Sequence, residues 1–152
     1  MAGYTVETNG NIALSAATAK TILNYINASG GVGRVVEVGV SFDGVTSSAV
    51  PVLVELCGST QAGAGTSTSH TMVQIRGATR TVQGTAQRNY TAEPTVLTTW
   101  KRWLVPAFNG LFVIQFPLGR EPEQIASANG MCLRCTAPAT VNVQGYLEIE
   151  QG

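Results

Sequence analysis

The stretch Thr140–Glu150 (Thr-Val-Asn-Val-Gln-Gly-Tyr-Leu-Glu-Ile-Glu) alternates apolar and polar side chains almost without a break. Val141, Val143, Leu147 and Ile149 point one way, and Asn142, Gln144, Tyr146, Glu148 and Glu150 the other. A period of two fits a strand with one dry face and one wet face, and does not fit a helix. The pattern recurs along the chain and predicts a β-sheet protein with a single packed core.

Arg34 to Phe42 repeats it, with Val36, Val38, Val40 and Phe42 on one face. Val50 to Leu56 repeats it through Val52 and Val54, with Pro51 marking an edge or a strand start. His70 to Arg76, Thr95 to Val105, Leu111 to Phe116 and Met131 to Ala137 read as further strands. Residues 58–69 are rich in Gly, Ser and Thr and read as a loop, and 77–94 as polar and irregular with at most one strand. Ala16 to Asn27 reads as the only helix: Ala19, Ile22, Leu23 and Ile26 fall at i, i+3, i+4 and i+7, Ser15 caps it and Ser29-Gly30-Gly31 ends it. Residues 1–14 read as extended, either a first strand or an arm reaching onto a neighbour. Tyr4, Val6, Ile12 and Leu14 are the anchors there, and Asn9-Gly10 a turn signal. About eight strands without a βαβ rhythm predict an all-β chain with one short helix, a jelly-roll β-sandwich spanning 15–152 as one domain.

With 152 residues the chain is long enough to bury a core without disulfides or metals. Charged residues make up only 12% of it, and nine basic residues balance nine acidic ones. That balance offers no electrostatic footprint for nucleic acid or an anionic membrane. A surface of Thr, Ser, Asn and Gln suits contact with other proteins, and it is also what Thr-rich β-proteins carry in general. No leader-like segment opens the chain and no apolar run approaches the ~20 residues of a membrane helix, so the expected location is a cytoplasm or a larger assembly built there.

The candidate chemistry is sparse. Cys57, Cys132 and Cys135 are an odd count. In an extended strand Cys132 and Cys135 sit about 10 Å apart on opposite faces, too far for a disulfide. No second pair completes a zinc site, so the cysteines read as small packing residues. His70 is the single histidine, and no nucleophile elbow accompanies it. Glu148 with Glu150 and Glu121 with Glu123 read as solvated faces. Ser29-Gly30-Gly31-Val32-Gly33 follows a predicted helix instead of preceding one and lacks the following Lys-Ser/Thr, so it is no phosphate loop. Trp100-Lys101-Arg102-Trp103 is the one aromatic-basic cluster, and strict alternation splits its tryptophans across two faces. The expectation is a protein that is not an enzyme and carries no cofactor or metal.

Three phrases resemble a known group. They are Ala17-Thr18-Ala19-Lys20-Thr21-Ile22-Leu23, then Glu37 to Gly44 with Pro51 to Leu56, and the closing run Leu133 to Tyr146. Over residues 15–57 and 130–150 the chain resembles the small jelly-roll structural proteins of tailed-phage virions, in particular the capsid decoration (cement) proteins. The resemblance implies a virion protein on the outer capsid surface, often a homotrimer, tying neighbouring major capsid protein subunits together. On that reading Tyr4, Val6 and Ile12 of the arm, and one of Trp100 and Trp103, are the expected contact residues. The alternative is a carbohydrate- or receptor-binding jelly roll of a tail or fibre. A cupin-like enzyme would need clustered histidines.

Overall fold

The computed structural model describes residues 1–60 and 62–152. Among them lie thirteen strands and no helix: β1 (Ala2–Glu7), β2 (Ile12–Leu14), β3 (Ala19–Ile26), β4 (Gly33–Phe42), β5 (Val52–Ser59), β6 (Thr66–His70), β7 (Val73–Arg76), β8 (Thr85–Ala92), β9 (Leu97–Val105), β10 (Leu111–Gln115), β11 (Glu123–Gln124), β12 (Gly130–Thr136) and β13 (Val141–Gln151).

They form two antiparallel sheets packed face to face. The seven-stranded sheet runs β10-β4-β13-β1-β7, with β11 on β4 and β2 on β13; the six-stranded sheet runs β6-β8-β3-β12-β5-β9. The alternating C-terminal segment is a central strand, flanked by β4 and β1. Its Val143, Leu147 and Ile149 are fully buried, while its polar residues line the outer face. Opposite them, Leu23, Tyr25, Val54, Leu56, Met131 and Leu133 supply the other half of the core. Each such side chain contributes roughly 1.5–3 kcal/mol of burial free energy. Along one side the edge strands β9 and β10 meet across the sandwich, where the Trp103 and Phe112 ring centroids lie 5.0 Å apart.

The expected helix over Ala16–Asn27 is absent, because this segment is β3, paired with β12 and β8. A β-bulge explains the misleading spacing. Leu133 faces Leu23 and Arg134 faces Thr21, leaving Ile22 as an extra residue. An extra residue resets the alternation, so Ile22 and Leu23 both enter the core, an adjacency that copies a helical i+3, i+4 pair. Ser15 does not cap a helix either; its carbonyl accepts from the Thr18 amide in a turn that holds Ala17 at φ 55°.

Residues 1–14 take the strand alternative and not the arm. β1 and β2 both pair with β13, placing Tyr4 opposite Ile149, Val6 opposite Leu147 and Ile12 opposite Val143. Asn9 and Gly10, both at positive φ, interrupt this run without reversing it. A second bulge corrects β4: Val36 is the extra residue, so Val35 enters the core in place of Val36. The segment expected as one strand from His70 to Arg76 is instead the end of β6 and the whole of β7.

The outer face of the six-stranded sheet carries a buried polar layer. Glu55, 3% exposed, accepts from Arg102 Nε at 2.9 Å, from Arg134 Nε at 2.9 Å and from Thr99 Oγ1 at 3.2 Å. Burial pushes the Glu55 pKa up, but the hydrogen bonds from Arg102 and Arg134, the Arg134 charge and Thr99 outweigh it and hold the carboxyl below its ordinary value. Beside this cluster, Asn24 donates to the Tyr90 hydroxyl at 3.0 Å and accepts from Ser59.

Candidate functional site

The connections between strands gather at the two ends of the sandwich, and one end is apolar. There the chain leaves β4 and returns in β5 through residues 43–51. It turns from β9 to β10 over 106–110 and from β12 to β13 over 137–140. Asp43 ties the first of these to the start of β13, where the third ends. Its Oδ1 accepts from the Asn142 amide at 2.9 Å and its Oδ2 from Asn142 Nδ2 at 2.7 Å. The side-chain bond from Asn142, then the backbone bond, holds the Asp43 carboxyl below its ordinary pKa. The 106–110 arch joins them through a Gly44–Phe108 bridge, and the Asn109 amide donates to the Gly44 carbonyl at 3.2 Å.

Between these connections lies a cleft of about 520 Å³, walled by Val45, Ala49, Val50, Val52, Ala107, Pro138, Ala139 and Val141, with Thr46 and Thr140. Asp43 is the one ionisable group lining it, and both its oxygens are already engaged by Asn142. At the rim Val45 is 86% exposed, and Val50 and Phe108 stand out into solvent. Leu104 and Leu111 flank the arch, Leu111 at 73% exposure. Val45, Val50, Leu104, Phe108 and Leu111 are thus all exposed large apolar side chains at or beside these connections. The cleft can take up apolar side chains; its chemistry offers no acid and base within reach of each other.

The arch depends on close backbone approach. A Cβ on Gly110 would collide with the Pro106 carbonyl. Gly110→Ala is therefore expected to cost about 1–3 kcal/mol and to loosen the rim, read as a lower Tm and as faster amide exchange at Phe42, whose N–H donates to the Gly110 carbonyl at 2.9 Å.

The residues singled out from sequence lie elsewhere. Tyr4, Val6 and Ile12 are core side chains, 1%, 0% and 4% exposed, and offer nothing to a partner while the sheet is intact. Trp100 and Trp103 do not face opposite sides. Lys101 sits opposite Leu56 and Thr99 opposite Cys57, so Trp100 is the extra residue of a bulge. Trp103 pairs with Val54 and packs on the core. Trp100 lies over Gly58, where a Cβ would come within 2.5 Å of the indole. Gly58 and Val54 share one face of β5, so both rings sit on the inner side of the β9 edge, with Trp100 37% exposed.

His70 Nε2 accepts from the Glu7 amide at 3.4 Å and links β6 to β1 across the two sheets. Burial, outweighing the Glu7 carboxylate, moves its pKa below the ordinary value. Glu150 pairs with Arg76 at 3.7 Å and Glu123 with Arg34 at 3.1 Å. Among the described residues no group of three or more His, Cys, Asp or Glu is gathered to hold a metal ion. Sequence reading missed the loop end because its residues belong to three connections far apart in the chain. The one local signal was apolar Val45 and Val50 flanking a turn.

No protein-family model, curated protein or solved structure matches the chain.

Proposed function

We propose that this chain is a protein-binding β-sandwich that seats its apolar loop end on another protein. In particular, we propose a head decoration protein of a tailed-phage virion, a jelly roll that trimerises and ties major capsid protein subunits together. The observation that carries the reading is the loop-end cleft: exposed Val45 and Val50 line an apolar recess, exposed Phe108 is bridged to Gly44 beside it, and the single carboxylate is spent on holding the loops in place. On this reading the chain is not an enzyme and works without a cofactor.

The path of eight strands, with β2, β6, β7, β8 and β11 as additions to them, supports the jelly-roll part. β1, β4, β10 and β13 belong to one sheet and β3, β5, β9 and β12 to the other, so every step between successive members but β5 to β9 crosses between sheets. Such crossing is what a double Greek key requires. The low charge content and zero net charge fit a surface held against other protein. Weak single contacts suffice where many copies act together.

The test is co-sedimentation with capsids prepared without the protein, using wild type and a Val45→Glu, Val50→Glu, Phe108→Glu variant. These positions are exposed, so Tm is expected to stay within a few degrees of wild type while affinity falls at least about tenfold, the equivalent of ~1.4 kcal/mol. Equal binding by the variant, or wild type left in the supernatant, overturns the assignment. Light scattering is expected to give a mass three times 15.9 kDa.

A further inference from the structure

We propose that Cys57 and Cys132 form a modification site, a cross-strand dithiol in the six-stranded sheet that closes to a disulfide under mild oxidation. The proposal is independent of the functional reading above. The two residues are direct antiparallel partners between β5 and β12. Opposed residues in an antiparallel pair have Cα atoms about 4.5 or 5.5 Å apart, and both values lie within the roughly 4.4–6.8 Å that a disulfide spans. No strand has to move for the bond to form.

Both side chains lie outside the main apolar core, on the sheet face that carries Glu55, Arg134 and Thr99. The two thiols face each other across the β5–β12 ladder, and Thr99 Oγ1 lies 3.7 Å from Cys57 Sγ. The neighbouring Cys132 thiol first, then Thr99, bring Cys57 down to about 7 despite its burial. The directions of the two shifts, Cys57 down and Cys132 up, favour Cys57 as the attacking thiolate. Cys135, three residues further on, faces the core, and burial holds its thiol protonated. It serves as an internal control.

Access comes from the strand next door. Cys57 sits at the register break opposite Trp100, and β9 is the edge of its sheet. Opening that edge exposes the sulfur without global unfolding. With hydrogen peroxide as oxidant, Cys57 thiolate attacks one peroxide oxygen and breaks the O–O bond, leaving a sulfenic acid and hydroxide. Cys132 sulfur then attacks the sulfenic sulfur, the S–O bond breaks, and the departing hydroxide takes the Cys132 proton as water. The first hydroxide takes up the proton that Cys57 gave up on ionising, so two thiols lose two electrons and the peroxide leaves as two waters.

The experiment treats the folded full chain with equimolar peroxide at neutral pH and reads intact mass and non-reducing peptide maps. The expected product is lighter by about 2 Da, links the Cys57 and Cys132 peptides, and reverts with dithiothreitol. Clamping β5 to β12 closes a long loop, and Tm is expected to rise on the order of 10 °C on oxidation. Cys135→Ser is expected to form the same bond and Cys57→Ser to form none. A folded wild type that keeps its mass, gains oxygen without a crosslink, or links through Cys135 overturns the proposal.

Discussion

Tyr4→Ala is expected to cost about 3–5 kcal/mol, a large share of the stability of a domain this size. The ring is 1% exposed, packed where β1 meets Ile149 of β13, and its hydroxyl donates to the Arg80 carbonyl at 3.2 Å. Truncation empties a space that neighbouring strands, fixed by their own ladders, cannot refill. Thermal unfolding should report a Tm lower by on the order of 10 °C. Tyr4→Phe keeps the ring and loses one hydrogen bond, at about 1 kcal/mol. If residues 1–14 were a free arm, both variants would melt like wild type, so the pair of measurements decides between arm and strand directly.

Glu55→Ala is expected to cost about 3 kcal/mol, because it leaves the Arg134 guanidinium, with a side chain 23% exposed, without its carboxylate. Arg102, with a side chain 65% exposed, regains water and contributes less. Glu55→Gln keeps the shape and removes the charge, and should fall between wild type and the alanine variant. The pH dependence follows from the direction of the shift. The folded-state pKa of Glu55 lies below its ordinary value of 4.5, so its stabilisation is complete above that value. It fades as pH falls through the lower, folded-state value. Wild type should lose Tm in that acidic window more steeply than Glu55→Gln, with urea midpoints at matched pH as the check; parallel curves would deny Glu55 this role.

Much of the sandwich was legible from alternation alone. β13 lies within a residue of the expected span, β10 and β12 stop a residue short of theirs, and the apolar face of β13 is the buried one. Three of the errors share one physical cause. Ile22, Val36 and Trp100 are each the extra residue of a bulge. At each, the side-chain rhythm shifts by one, and a reader who continues the period of two assigns the wrong face or, at Ile22, the wrong element. Nothing in the local sequence announces a bulge, since what selects it is the register of a partner strand distant in the sequence, more than a hundred residues away for Ile22 and Val36. The loop end was illegible for a related reason. Val45, Phe108 and Pro138 become neighbours only once both sheets have formed.

The central place of β13 has a consequence in time. During synthesis β1 emerges first, yet its ladder partner Ala2↔Gln151 completes only when residue 151 has left the ribosome. Until then β4 and β1 are two edges without the strand that joins them, each presenting apolar side chains and open hydrogen bonds. Folding must wait for the longest loop closure in the chain, which places it among slow, high-contact-order domains. Nascent chains stalled just short of β13 should therefore be protease-sensitive throughout and prone to associate with one another, whereas chains stalled beyond it should become resistant in one step.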